Sequence, residues 1–303
     1  MMAAIPALGQ QPVDDGTGAL LLHRSGHERR RMLVNRVATI TATLAATAVI
    51  LALGIIILFV VVNGLPYVDE QFLTMDTENY NQGGALAAIL GSLQMVPLAT
   101  LIAAPIAILG GVYLAESRPG RMSGAVRMAT ETLAGLPSVV VGIFVFTILV
   151  APTGKYTALA GSVALAVIMI PIVARSTEEI IRLVPASVRE AALALGIPVW
   201  KTMLRVVVRT AMAGILAALM LAVARAAGET APLILTTTGN QQVNVGNFLG
   251  SMDSLPTFIW LASGQPDDLL NGQAWAASLV LMVFVLITNI IVRGRTAGRR
   301  RAH

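Results

Sequence analysis

The chain has 303 residues, of which 56% are hydrophobic and only 12% charged, and its mean hydropathy is +0.77. Soluble domains average about 25% charged residues, so a soluble enzyme or a nucleic-acid-binding domain is excluded despite the formal charge of +5. The composition is that of a polytopic membrane protein.

A helix needs about 20 largely apolar residues to cross roughly 30 Å of hydrocarbon. Residues 1–33 read as a polar, disordered cytoplasmic tail with Arg24, Arg29, Arg30 and Arg31. The first apolar run, 34–62, is too long for a cleavable signal. Further runs at 85–114, 128–150, 157–174, 206–235 and 274–292 bring the predicted spans to six, and 293–303 form a basic tail. The short Ala151–Tyr156 link predicts a tight hairpin between spans three and four. Pro97, Pro105, Pro137 and Pro171 lie in or at the ends of spans, where they predict kinks. Gly83-Gly84 and Gly110-Gly111 bear on helix packing, and the methionines and tryptophans read as packing and interface residues.

Lys and Arg stay on the cytoplasmic side of membranes. With both termini inside, all the basic residues but Lys155 and Arg225 fall on that side. The two external loops, 63–84 and 236–273, carry Asp69, Glu70, Asp76, Glu78, Asp253, Asp267 and Asp268 and no basic residue, and they read as solvated rims.

Chemistry-bearing residues are few. No cysteine is present, which removes thiolate metal sites, disulfides and a cysteine nucleophile. His23, His27 and His303 all sit in polar tails, so a histidine-centred membrane metal site or Ser-His-Asp triad has no support. No glycine-rich phosphate loop ending in Gly-Lys-Ser/Thr occurs, and the segment from Gly196 to Thr202 is only a superficial echo of one. The chain is therefore expected to be no enzyme and to bind no cofactor itself.

A cytoplasmic loop of about thirty residues, 175–205, is longer than a simple pore needs. Pro185 suits a first helical turn, Ala186 to Leu195 favour helix, Gly196 suits a left-handed cap and Pro198 restarts the chain. Ala191, Leu195 and the methyl of Ala192 give this short helix a narrow apolar face beside Arg189 and Glu190, suited to docking in a partner's groove.

Span five carries Arg225 and, four residues on, Glu229, with Gly228 and Pro232 loosening the turn. An arginine in hydrocarbon costs about 2.5–3.5 kcal/mol on insertion scales, so it is expected to face protein or water. A guanidinium in low dielectric grips two oxygens of a tetrahedral oxyanion, and phosphate is the natural guess. An Arg-Glu staple between helices is the alternative. Arg175 is a second candidate, its alternative being an ordinary arginine at the cytoplasmic end of a span.

Glu190-Ala191-Ala192, three residues and then Gly196 resembles the EAA loop of ABC-importer permeases. Val206-Val207-Val208-Arg209 departs from that family's downstream Ile-x-Leu-Pro. Arg225-Ala-Ala-Gly-Glu-Thr-Ala-Pro232 and Pro171-Ile-Val-Ala-Arg-Ser-Thr-Glu-Glu179 are similar to the phosphate-specific branch, and the likeness covers about 85 to 292. The resemblance implies an all-α, six-helix type I importer permease. Phosphate would pass near Arg225, Glu229 and Arg175, and Glu190, Ala191, Ala192 and Gly196 would couple to ATPase subunits. It implies a second homologous permease, two cytoplasmic ATPase subunits that hydrolyse ATP with Mg, and an extracytoplasmic phosphate-binding protein. An importer of sulfate, molybdate or phosphonate, or a gated anion channel, are the rival readings.

Overall fold

The structure, a computed structural model, describes residues 26–77 and 83–300, with side chains at 30–77 and 83–290. Residues 1–25 of the expected tail, and Glu78, therefore lie outside the described residues, while 26–33, expected to be disordered, are helical. In chain order the helices are α1 (Gly26–Gly64), α2 (Glu70–Thr74), α3 (Leu86–Glu116), α4 (Arg121–Gly135) and α5 (Ser138–Val145, prolonged by a π turn at Phe146–Val150). There follow α6 (Ala158–Arg182), α7 (Ala186–Ala194), α8 (Val199–Lys201), a π turn at Thr202–Val207, α9 (Val208–Ala227), α10 (Ala231–Thr236), α11 (Leu255–Ser263) and α12 (Asp268–Arg300). Among the described residues there is no strand.

Two compact units are present, residues 1–58 and 59–303. The first contains α1 up to Leu58, which beyond Arg36 carries no charge on any side, as suits a helix solvated by lipid. Among the described residues five helices are long and apolar enough to cross a membrane, or six if α4 and α5 count as one bent span.

Within the second unit α3 and α6 form the spine. Ala99, Ala103, Ala107 and Gly111 recur every four residues along α3 and are all buried. Small side chains at that spacing line one helix face and let backbones approach closely. A Cβ on Gly111 would lie 2.6 Å from the Ala174 carbonyl oxygen and 2.6 Å from Thr177 Cβ. Further along α6, Gly214 of α9 leaves room for Ile180. Pro97 and Pro105 are absorbed within α3, and Pro171 within α6.

Three further features differ from the sequence-based expectation. The third apolar run is not one helix: α4 and α5 bend by 107° at Leu136-Pro137, because Pro137 lacks an amide for the helical ladder and instead caps α5. The fourth helix continues past 174 to Arg182, its charges held in ion pairs rather than released into a loop. Asp253, placed on a solvated rim, is 1% exposed.

Asp253 precedes α11, whose first turn is closed by a Ser254–Thr257 capping box. Its Oδ1 accepts from the Ser254 amide at 2.7 Å and the Thr257 hydroxyl at 2.6 Å, while Oδ2 is buried without a partner. Burial pushes this carboxyl up from 3.8 to about 6. The folded state then holds its proton more tightly than the unfolded chain. The resulting stabilisation is complete below pH 3.8 and is lost as pH rises through about 6.

Two predictions follow from this packing. Gly111→Ala should destabilise the purified protein by about 1–3 kcal/mol through overpacking, whereas Gly110→Ala, with nothing within 4 Å of its added Cβ, should be neutral. Thermal unfolding in detergent reads both. In the same assay Asp253→Asn should remove part of the loss of stability between about pH 4 and about pH 6, because an amide carries no charge to bury.

Candidate functional site: two helix breaks around Arg225

α9 ends at Ala227, and the chain passes through Gly228, Glu229 and Thr230 before α10 resumes with Pro232 in its first turn. The Gly228 and Glu229 amides turn back onto the carbonyls of Arg225 and Ala226 at 3.1 and 3.2 Å. This break lies beside the α4–α5 elbow. Gly142 of α5 packs so closely on α10 that a Cβ there would stand 2.8 Å from the Pro232 Cα. Between them is a cavity of about 20 Å³ lined by Leu133, Ala134, Leu136, Ser138, Val141, Ile168, Ile172 and Arg225. It has room for about one water molecule.

The Arg225 side chain is 57% exposed, and its Nε lies 3.5 Å from Glu229 Oε1, a carboxylate that is only 15% exposed. The pairing is loose, so guanidinium donors remain free. Staple duty between helices is not what the contact shows, since both partners come from the same stretch of chain.

Ile168 and Ile172, which share the cavity with Arg225, lie on the α6 face that carries Arg175 one turn further along. Arg175 does not touch Arg225. It is clamped by two carboxylates: Nη1 to Glu131 of α4 at 2.7 Å, and Nε to Glu179 at 3.1 Å. Glu179 was accessible to sequence reasoning through its four-residue spacing. Glu131 carried a signal too, a carboxylate within a run read as membrane-spanning.

At the opposite end of the unit α7 follows Pro185, as expected. Gly196 has φ +74°. Its amide donates to the Leu193 carbonyl at 2.9 Å and the Ile197 amide to that of Ala192 at 3.2 Å, a Schellman closure. Glu190 and Ala191 are exposed, but Ala192 is 5% exposed and faces inward, so the docking face must be drawn without its methyl. The reason is the helix period: Ala192 and Val188 point to the turn at Thr202–Val207 while Ala191 points away. Leu195, Val199 and Trp200 are 80%, 63% and 59% exposed and extend the apolar surface beyond α7. Arg189, read as flanking the docking face, instead ties α7 back, with Nη2 2.8 Å from Glu116 Oε1 and 3.0 Å from the Ile181 carbonyl. Where the family's Ile-x-Leu-Pro would stand, the chain winds through its π turn into α9 without a break.

Residues 107–295, spanning both the Arg225 cleft and α7, match the family described as binding-protein-dependent transport system inner membrane component. The chain belongs to that family. The permease is 37% identical over 269 residues to the phosphate transport system permease protein PstA of Pasteurella multocida, covering 88% of this chain and 96% of that one. It is 41% identical to the protein of the same name from Xylella fastidiosa strain Temecula1, covering 88% and 93%. The probable PstA of Methanocaldococcus jannaschii is 34% identical over 88% of the permease and 95% of its own length.

Solved structures share the fold at lower identity. A chain of a bacterial alginate ABC transporter, in complex with alginate pentasaccharide-bound periplasmic protein, superposes with a TM-score of 0.59 at 14% identity, covering 87% of the permease and 94% of that chain. A chain of the inward-facing MetNI methionine ABC transporter gives 0.56 at 17%, covering 72% and 94%. The fold is that of type I importer permeases, and among the described residues no cluster of His, Asp and Glu could hold a metal ion.

Gly196→Ala should weaken α7's closure by about 1 kcal/mol, because a Cβ at positive φ is strained although the space around it is open. Amide hydrogen exchange should register the change as faster exchange at Gly196 and Ile197 with the α3–α6 spine unaffected.

Proposed function

We propose that the permease carries inorganic phosphate into the cell as the membrane-spanning subunit of an ATP-driven importer. The observation that carries this reading is Arg225: a half-exposed guanidinium with one loosely held carboxylate, set where two interrupted helices meet. Broken backbone in a membrane belongs beside a cavity, and a planar fork of donors there suits a tetrahedral oxyanion. Glu229 orients the fork and keeps the anion from binding too tightly. Arg175, one turn beyond the cavity towards the cytoplasmic end, is the next cation on the same face. The names of the relatives favour phosphate over sulfate, molybdate or phosphonate.

The remaining parts of the machine follow from family membership. A second, homologous permease completes the pathway, and two cytoplasmic ATPase subunits hydrolyse ATP with Mg and engage Glu190, Ala191 and the exposed Leu195 through α7. Ala192 and Gly196 shape that helix from within. An extracytoplasmic phosphate-binding protein docks on the external loops, where a cleft of about 210 Å³ is lined by Pro66, Tyr67, Asp69, Gln71, Phe72, Leu269 and Gln273. The distribution of Lys and Arg supports a multi-pass chain with both termini in the cytoplasm.

Uptake of labelled phosphate by the complete importer in vesicles tests the reading. Arg225→Gln should lower uptake at least about tenfold, the scale of a lost charged hydrogen bond, while ATPase assembly persists. Unchanged phosphate uptake in that variant, or equal inhibition by sulfate and phosphate of the wild type, would overturn it.

A further inference from the structure

α4 is attached to the rest of the permease in an unusual way. Of its fifteen residues only Ser123 is buried, and Met122 and Met128 are each 70% exposed. What joins it to α6 is charge. Arg127 Nη2 lies 2.6 Å from Glu178 Oε1, and Glu131 Oε1 lies 2.7 Å from Arg175 Nη1. The spacing is four residues on α4 and three on α6, running in opposite directions, so the two helices carry complementary charges rung against rung. The first rung is deep. Glu178 is 3% exposed at its side chain and is shared with Arg182 Nη2 at 2.7 Å, both arginines approaching off the line of a directed hydrogen bond and Oε2 having no partner.

We infer that Arg127–Glu178 and Glu131–Arg175 form a two-rung ionic latch that docks α4 on α6 and thereby sets the opening of the Arg225 cleft. The other end of α4 supplies Leu133 and Ala134 to the cavity wall and leads through Leu136 into the Pro137 elbow. With the latch closed, the cavity is small and Arg175 is occupied by carboxylates. With it open, Glu131 leaves Nη1 of Arg175 while Glu179 keeps Nε, and the wall beside Arg225 retreats, so the cleft and one edge of the second cation become available together. Arg127, Glu131 and Glu178 are in this sense positioning residues. The inference rests on the transport reading for its purpose, but its geometry does not involve phosphate.

Charge is suited to a contact that must be made and broken. Separated ions recover hydration, which offsets much of the lost attraction, whereas a broken apolar contact leaves both faces wetted. The pattern also resists intermediate positions. Sliding α4 one turn towards the end of α6 sets Arg127 against Arg182 and Glu131 against Glu178 and Glu179, and like charges at contact are unfavourable. The arm is therefore docked or undocked.

The test uses the complete importer, with cysteines introduced at Met128 and, on α3, at Leu109, in a chain that has no cysteine of its own. α3 is the reference because it is locked to α6 at Gly111, and Leu109 is 58% exposed. Spin labels on the pair should report two separations, their populations changing between nucleotide-free and ATP-bound states without phosphate. Glu178→Gln should shift the population towards the longer separation by about tenfold or more. Arg127→Glu should do the same, and the exchanged pair Arg127→Glu with Glu178→Arg should restore the wild-type distribution.

A purely structural ion pair would give one separation in every nucleotide state, and that result overturns the latch. So does a Glu178→Gln distribution identical to wild type. If a variant fails to assemble, the nucleotide dependence of the wild-type pair still decides. Failure of the phosphate reading appears separately, as uptake indifferent to Arg225→Gln with the spin-label result intact.

Discussion

A peptide group freed by a helix break has nowhere to turn in hydrocarbon, and this constraint organises the permease. Both interruptions within apolar runs, Leu136-Pro137 and Gly228 to Thr230, are set against each other, with α5 on α10 sealing one side through the absent side chain of Gly142. Arg225 stands in the angle between them. The same arrangement thus shelters irregular backbone and hosts a charge that lipid would reject. The two problems have one solution because each needs a protein-lined recess.

The recess depends in turn on how its walls are held. On the α6 and α9 side they belong to a densely buried body, in which Met169, Val173, Ala222 and Ala226 are at most 1% exposed. On the α4 side the wall is carried by a helix with almost no buried surface, held by ion pairs. One wall is fixed and the other is separable. At the α7 end, Glu116 of α3 and Arg189 of α7 join the helix expected to meet the ATPase to this fixed body.

Much of this was legible in the sequence. Apolar runs and the placement of basic residues marked the spans, and Gly196, Pro185 and Pro198 bounded α7 because backbone conformation there is dictated by single residues. Arg225 and Glu229 were visible as charges with no reason to lie in lipid. The elbow at Pro137 was not, since a proline near the middle of an apolar run reads the same whether the helix kinks slightly or turns through more than a right angle. What decides is the tertiary partner, here α10. The burial of Asp253 and the inward turn of Ala192 were hidden for the same reason: each depends on what a neighbouring segment brings close. Glu131 and Glu178 were present as letters, but their meaning lies in a pairing between helices more than forty residues apart in sequence.

The alanine and glycine seam between α3 and α6 has a mechanical corollary. Ala99, Ala103, Ala107 and Gly111 have no side-chain torsions to adjust, so the joint has little slack in which a push could dissipate. Force applied near Glu116 by a bound neighbour is conveyed along about thirty residues of α3 as if along a girder. Compliance is left to the places where the backbone itself is interrupted.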